Sequence, residues 1–259
     1  MAGFQIRSIF LQLLQRDIRG RFIGSATGWI WLIVTPLLLL AVYAFVFGVI
    51  FRARVPEGFE LPFWAWLAVA LWPWLAFSEG LQRAAGSIQQ HAALISKVAI
   101  PRHLLVSSSV CAVFILHAIG FVVVLLVIQG MAADIHWLAV PYALLLLAML
   151  YGFALGLGFL LASVQVFVRD LEQLLPTALM FWFFLTPIIY PPQLLPEAAR
   201  NLLVLNPMTW WVEELRAALF SGQALPDLGI LLMLLIVGIS LVLGRGVFNR
   251  MSPHFEDFL

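Results

Sequence analysis

Residues 16–51 read RDIRGRFIGSATGWIWLIVTPLLLLAVYAFVFGVIF, in which a basic segment leads directly into a long apolar one. The 24 residues from Gly28 to Phe51 contain no Asp, Glu, Lys or Arg. At a rise of 1.5 Å per residue, such a run forms about 36 Å of helix, enough to cross a hydrocarbon core of ~30 Å with some tilt. The stretch therefore predicts an integral membrane protein.

The composition of the whole chain agrees with this prediction. Of its 259 residues, 63% are hydrophobic and 10% are charged, whereas a soluble domain carries about 25% charged residues. The first apolar run is too long for the hydrophobic region of a cleavable signal peptide, so we expect it to stay in the membrane. The single cysteine, Cys111, excludes an intrachain disulfide and a cysteine-based metal site.

Charge-free runs predict an all-α membrane domain that spans residues 1–259 and crosses the membrane six times. The fourth run has 31 residues, so its helix could tilt, extend out of the bilayer or begin with an entry turn at Pro141. The sixth charge-free run, residues 228–244, is short, so the predicted span is extended to residue 247. The six predicted spans are residues 28–51, 61–78, 104–128, 138–168, 174–190 and 228–247.

The distribution of basic residues orients these spans, because cytoplasmic loops carry an excess of Lys and Arg. With the N-terminus in the cytoplasm, the outer segments hold Arg52, Arg54, Arg200 and Arg216. The inner segments hold the other ten of the 14 basic residues, which are Arg7, Arg16, Arg19, Arg21, Arg83, Lys97, Arg102, Arg169, Arg245 and Arg250. We therefore predict that both termini are cytoplasmic.

Two segments on the predicted inner side have helical character. Residues 1–24 include an amphipathic pattern, which favours a helix lying in the membrane interface over an ordinary cytosolic helix packed on protein. The region 83–102 contains a helix-like stretch, the only lysine of the chain (Lys97) and a closing Pro101. It suits the docking of a soluble partner, and the alternative is a solvated loop.

The predicted outer segment 191–227 contains two apolar pieces, 194–205 and 208–220, that are too short to span the membrane. Asn206 and Pro207 read as the N-cap and first residue of the second piece, and Gly222 as its C-terminal stop. We expect both pieces to dip into the outer leaflet as re-entrant helices or to cap the bundle. The second piece carries Glu213, Glu214 and Arg216, which are candidates for a periplasmic gate or simply lie at the water boundary.

Aromatic residues recur along faces of several spans. Such faces suit a path for sugars, because C–H groups stack on rings and hydroxyls bond to Trp N–H or Tyr O–H. The alternative is contact with lipid and with the headgroup region. The candidates for a channel lining are Trp29, Tyr43, Phe47, Trp66, Trp74, Phe181 and Tyr190. Separately, Gly152-x-x-x-Gly156 indicates close helix packing.

Several chemical signatures are absent from the sequence. No Walker A loop, H-E-x-x-H motif, metal-type Cys/His pair or nucleophile elbow occurs, so we predict no catalytic residue, no metal site and no cofactor in this chain. The spans also lack the midplane acid or lysine of an ion-coupled transporter. Energised transport would need a second protein. An intramembrane enzyme or a passive channel remains a further class, and nothing predicts nucleic-acid binding.

The chain resembles the membrane permeases of ABC-type polysaccharide exporters, the O-antigen, capsule and teichoic-acid group. The match runs nearly end to end in consistent order, and its tail, Pro253 to Leu259, resembles the O-antigen branch. The matching pieces are Arg16-Asp17, Arg21-Phe22, Gly24-Ser25, Gly28-x-x-Trp31, Pro36, Tyr43-x-Phe45-Val46-Phe47, Lys97, Pro101-Arg102, Phe167-x-Arg169-Asp170-Leu171, Leu185-Thr186-Pro187-Ile188-Ile189-Tyr190 and Leu205-Asn206-Pro207-Met208.

The resemblance implies a homodimer in the bacterial inner membrane that works with two ATP-binding subunits, which would bind ATP and Mg. It implies export of a lipid-linked polysaccharide through a channel at the dimer axis; the alternative is a related exporter of a drug or smaller lipid. The coupling helix would include Ile88, His91, Leu94, Lys97 and Arg102. The cytoplasmic entrance would include Arg16, Asp17, Arg19, Arg21, Arg169 and Asp170.

Overall fold

The computed structural model describes residues 2–21, 28–53, 55–56, 61–95, 97, 100–131, 135–222 and 228–258. All regular elements within these ranges are helices, which confirms the all-α prediction. The remaining residues, which include parts of the predicted interface, coupling and outer segments, lie outside the described ones.

The helices follow the chain in the order α1 to α10, and a π-helical stretch, Ala44–Ile50, continues α2. Short 3₁₀ turns precede α6 at Trp137–Ala139, precede α8 at Pro192–Leu194 and follow α10 at Ser252–Asp257. The α-helices are α1 (Ala2–Gly20), α2 (Gly28–Tyr43), α3 (Phe63–Gln90), α4 (Ala92–Ile95), α5 (His103–Met131), α6 (Val140–Phe167), α7 (Leu171–Leu185), α8 (Glu197–Leu203), α9 (Pro207–Ser221) and α10 (Leu228–Met251).

Three stretches among the described residues are long and apolar enough to cross a membrane: His103–Met131, Trp137–Phe167 and Gly229–Asp257. Two shorter apolar stretches cover Val34–Ile50 and Leu171–Leu185. The long helices agree with an integral membrane protein. A 3₁₀ turn, Trp137–Ala139, leads into α6, and Pro141 is the second residue of that helix.

Helix α3 lies at the centre of the bundle and is longer than the span predicted within it. The predicted span ends at residue 78, whereas α3 continues without a break to Gln90. It packs against both α5 and α6: the rings of Phe77 and Phe153 stack at 5.6 Å, and the indole of Trp72 donates to the carbonyl of His117 at 2.9 Å. At 28 residues and 1.5 Å rise, α3 is about 42 Å long.

Helices α6 and α10 meet at their backbones. An ideal Cβ on Gly156 would lie 2.5 Å from the carbonyl carbon of Ser240, and one on Gly244 would overlap the carbonyl of Gly156. A Cβ on Gly152 would meet Val237 at 2.8 Å. The packing role predicted for Gly152 and Gly156 is therefore confirmed, and Gly244 supplies the facing surface.

We expect Gly244→Ala to destabilise the protein. Its methyl group would force α6 and α10 apart, and overpacking of this kind costs about 1–3 kcal/mol. Gly246→Ala is the matched control, because a Cβ at Gly246 meets nothing within 4 Å. Thermal unfolding of both purified variants in detergent measures the difference. Equal melting temperatures would show that the close approach does not limit packing.

The contacts between elements separate the bundle into two ends. At one end, Asp17 of α1 approaches Ser108 of α5, and Arg102 approaches Glu256 of the tail. At the other end, His136 donates its backbone N–H to Leu219 of α9, and Trp182 of α7 donates to Asn206. We call the first end the basic end and the second the α9 end.

Candidate functional site

A cleft of about 470 Å³ opens at the basic end between α1, α3 and α5. Asp17 lies in it and accepts from the hydroxyl groups of Ser108 at 2.8 Å and Ser109 at 3.3 Å. His91 Nε2 lies 3.9 Å from the same carboxylate, while His91 Nδ1 faces the carbonyl of Ser87 at 2.6 Å. These contacts fasten α1 to the two helices behind it.

Glu79 forms a second polar junction beside this cleft. Its carboxylate lies 2.8 Å from Arg21, 2.9 Å from His117 Nε2 and 3.6 Å from Arg83. Three cationic or imidazole groups therefore surround one acid. Sequence reasoning gave neither Glu79 nor His117 a role; a histidine within an otherwise apolar span was the only signal available.

The six residues predicted for the cytoplasmic entrance do not form one site. Arg16, Asp17 and Arg21 line the 470 Å³ cleft, and Arg19 is exposed on α1. The α6–α7 turn exposes Arg169 and Asp170, and Arg169 lines a separate cleft of about 280 Å³ with Gln89 and Glu172. The entrance prediction thus divides into two groups on different faces of α3.

The predicted coupling residues also have different environments. Ile88 is fully buried within α3, and His91 is buried next to Asp17. Leu94 is half-buried on the single turn α4, and Lys97 is exposed. The region predicted as a coupling helix thus comprises the end of α3 and the single turn α4, and exposed side chains occur in both parts, among them Arg83 and Gln90.

The aromatic candidates fall into buried and accessible classes. Trp66 and Trp74 are buried, because Arg216 covers Trp66 and because Trp74 packs against Phe77 and Phe183. Their burial within one chain argues against a place in a channel wall. Tyr43, Phe47 and Tyr190 are half-buried, and Phe181 is exposed. The side chain of Trp29 lies outside the described residues.

Arg216 connects α9 to the ends of α7 and α3. Its guanidinium donates to the carbonyls of Pro187 at 2.8 Å and Ile188 at 2.9 Å, and lies 3.2 Å from the ring centre of Trp66. Glu213 pairs with it at 2.9 Å. The group is fully buried with its hydrogen bonds made, an arrangement typical of a structural clamp.

Glu214, the third residue predicted at this end, has a separate partner. Tyr142 near the start of α6 donates its hydroxyl to Glu214 at 2.7 Å. Each of the three predicted gate residues thus has a hydrogen-bond or ion-pair partner and helps to hold α9 in place. None of these contacts by itself reveals a gate.

Asn206 joins α7 and α9, and its predicted role as an N-cap is confirmed. Its side-chain oxygen accepts from the backbone N–H of Met208 at 3.1 Å and from the indole of Trp182 at 2.9 Å. Its amide group donates to Leu185 and Thr186. Pro207 begins the helix, and Gly222 ends it in the left-handed conformation with φ 65°, as predicted.

We expect Asn206→Ala to cost about 2–3 kcal/mol of stability, since it removes a helix cap and leaves a buried indole donor without its acceptor. Asn201→Ala on the exposed face of α8 is the control. Chemical unfolding in mixed micelles measures both. If the two variants unfold at the same denaturant concentration, Asn206 is not the connection between α7 and α9.

No group of three or more His, Cys, Asp or Glu side chains in the described part of the chain is arranged to hold a metal ion. The polar junctions instead pair acids with Arg, His and hydroxyl groups. They can fix helices relative to one another, and the clefts between them are open to water.

Comparison with known proteins places these features in a family. The chain is 33% identical to the O-antigen export system permease protein RfbA of Myxococcus xanthus, over 98% of this chain and 96% of that protein. It is 26% identical to the protein of the same name from Klebsiella pneumoniae, over 97% and 95%. It is also 24% identical to the polysialic acid transport protein KpsM of Escherichia coli, over 96% and 95%.

A family model described as ABC-2 type transporter matches residues 9–220. This range covers α1 to α9 apart from their outermost residues, and includes both polar junctions and the Asn206 cap. Because the match extends over most of the chain, this protein belongs to the ABC-2 type transporter family.

Proposed function

We propose that this protein is the permease of an ATP-driven exporter that moves lipid-linked polysaccharide across the bacterial inner membrane, with O-antigen as the favoured cargo. The observation that carries the proposal is the end-to-end similarity to an O-antigen export permease, at 33% identity over 98% of this chain. The similarity to a polysialic acid transport protein supports the same class of cargo.

We further propose six membrane spans with both termini in the cytoplasm. The contacts of the basic end support this orientation. They bring α1, the start of α5 and the C-terminal tail to one end, and Arg16, Arg19, Arg21 and Arg102 lie in or beside these segments. On this arrangement α8 and α9 form the re-entrant pair on the periplasmic side, where Arg216 and Asn206 hold α9 to α7.

The proposed path lies between two copies of the chain. One six-helix unit has little room for a hydrated polymer, and a twofold axis places the same face on both sides of a shared route. Apolar residues exposed on α7 and α10 are available to lipid or to a second copy, among them Phe181, Phe184, Leu235 and Val242. Within this proposal Tyr43, Phe47, Phe181 and Tyr190 remain candidates for the lining, and Trp29 stays a prediction.

The proposed energy source is a separate ATP-binding subunit, which would bind ATP and Mg. It would dock at α4, where Leu94 and Lys97 offer an accessible surface next to the buried end of α3. The proposed complex contains two copies of each protein. Helix α4 is short and follows directly on α3, so it can transmit a movement of the ATP-binding subunit to α3 and α5.

Deletion of the gene tests the cargo. We expect cells without the protein to lose surface polysaccharide and to accumulate lipid-linked polymer inside, and a plasmid-borne copy to restore the surface polymer. The same plasmid should not restore the surface polymer in cells that also lack the ATP-binding subunit. Unchanged surface polysaccharide together with lost efflux of a drug or smaller lipid would contradict the proposal.

Cysteine labelling tests the path. In a Cys111→Ser background, cysteines at Tyr43, Phe181 and Tyr190 should react with a membrane-impermeant reagent, and excess substrate glycan should slow the reaction. A cysteine at exposed Leu138 serves as a control that the glycan should not affect. Equal labelling at all positions with and without glycan would contradict a lining role.

A further inference from the structure

The C-terminal tail is docked onto the bundle. After α10 it forms a 3₁₀ turn, Ser252–Asp257, in which Phe255 is fully buried. The ring of Phe255 lies 5.5 Å from that of Phe248 and 6.0 Å from that of Phe167 at the end of α6. Phe258 lies 4.7 Å from Phe167. The tail is therefore fixed to α6 and α10 by apolar packing.

Arg102 connects this tail to the segment that follows α4. Its guanidinium donates to the backbone carbonyl of Ser252 and pairs with the carboxylate of Glu256. Arg102 immediately precedes α5, and residues 96–101 link it to α4. One side chain thus joins the coupling region to a part of the chain 150 residues away in sequence.

Two clefts lie between the tail and α4. A cleft of about 410 Å³ is lined by Ile95 at the end of α4 and by Ser252 and Glu256 of the tail. The separate cleft of about 280 Å³ is lined by Ala92 at the start of α4 and by Phe258. The tail therefore shares a cleft with each end of this one-turn helix.

A helix of one turn is not stable alone, because nucleation fixes several residues in return for one hydrogen bond. Helix α4 covers only Ala92–Ile95 and follows a break at His91. Its position must come from the surrounding structure. Its described neighbours include His91 at the end of α3, whose carbonyl accepts from Leu94 and Ile95, and the tail, with which it shares two clefts.

We propose that residues 252–258 brace the coupling segment, with Arg102, Phe255 and Glu256 as positioning residues that hold α4 against the load of the ATP-binding subunit. This inference rests on the proposed docking of that subunit at α4. Without the brace, the ATP-binding subunit still binds the permease and hydrolyses ATP. Helix α4 is then displaced when that subunit moves, and the movement is not transmitted to α5. The brace thus separates ATP hydrolysis from export.

The charge-reversal variant Glu256→Arg tests the brace, because it places two cations together at an exposed position. We expect the variant to keep the ATP-binding subunit on co-purification and to hydrolyse ATP at the wild-type rate, while surface polysaccharide falls at least about fivefold. The double variant Arg102→Glu/Glu256→Arg should restore part of the export, because it restores the ion pair but leaves the carbonyl of Ser252 without the donor that Arg102 supplies. Asp257→Arg, the same charge change at the exposed neighbouring acid, is the control and should export normally.

Each result has a distinct meaning. Wild-type export by Glu256→Arg, or a double variant that exports no better than Glu256→Arg alone, overturns the brace alone. Loss of the ATP-binding subunit from Glu256→Arg also overturns it, because the residue would then serve binding. A wild-type permease that binds no such subunit, in cells whose surface polysaccharide survives its deletion, overturns the proposed function and the brace with it.

Discussion

Replacing Arg216 with methionine is expected to leave little folded protein in the membrane. Methionine approximates the length of the arginine stem but donates no hydrogen bond. The carbonyls of Pro187 and Ile188 then lose their donors in a buried place, and Trp66 loses the cation above its ring. Buried polar groups without partners cost about 1–3 kcal/mol each, and a desolvated cation–π contact is worth about 2 kcal/mol.

The total expected loss for Arg216→Met is therefore several kcal/mol, a large part of the stability of a typical domain, ~5–15 kcal/mol. Arg216→Lys should recover only part of it, because an ammonium group cannot bond to separated carbonyls in the fork geometry of arginine. The control is Arg200→Met on the exposed face of α8. Size-exclusion profiles and melting curves of the extracted proteins measure the effect. A folded Arg216→Met with the wild-type melting temperature would mean that the clamp is dispensable.

Replacing Glu79 with leucine is expected to produce the second large effect. The change leaves Arg21 and His117 without their acid, and both side chains are largely removed from water, at 12% and 7% exposed. Removing one partner of a buried charged pair costs about 3–5 kcal/mol, and the loss is smaller here because the Glu79 side chain is itself 34% exposed to solvent. We expect a cost of about 2–4 kcal/mol and a looser attachment of α1.

A double variant separates lost pairing from lost packing. Glu79→Leu/His117→Phe replaces both partners with apolar groups, and this should recover part of the stability, since no unpaired imidazole remains. Glu172→Leu, at an exposed acid on α7, is the control. Melting temperature reports stability, and protease cleavage after α1 reports its attachment. If the double variant is no better than Glu79→Leu alone, the pairing with His117 contributes little.

Local signals in the sequence were sufficient for the elements whose ends are determined by neighbouring residues. Helix α9 begins at Pro207 behind the Asn206 cap and ends at the left-handed Gly222, as predicted, because caps and stops act within one turn of the chain. The close contact at Gly152 and Gly156 was predictable for the same reason. Small residues four apart allow approach whatever the partner is.

Other features depend on partners distant in sequence. Glu79 ended the predicted second span because a charge normally marks the edge of the membrane. In the structure Arg21 and His117 surround this charge, so α3 continues beyond it. The stripe containing Trp66 and Trp74 has the same spacing whether it faces a channel or a core. Only the positions of Arg216 and Phe183 show that it faces the core.

The docking of the tail had no local signal. Phe255 resembles any exposed aromatic residue near a terminus until Phe248 and Phe167 are seen around it. The pairing of Arg102 with Glu256 joins residues 154 positions apart, a separation at which a single sequence gives no information on contact. The membrane class and several local helix signals were therefore predictable, whereas the connections that hold the candidate surfaces were not.

The backbone contact between α6 and α10 has a mechanical consequence. Packed helices normally slide past each other by small rotamer changes of the side chains between them, but Gly156 and Gly244 leave no side chain at their contact to absorb such sliding. The two helices should therefore move as one rigid body. The tail extends from α10 and packs on the end of α6, so a force that enters through Arg102 would act on both helices together instead of bending one of them.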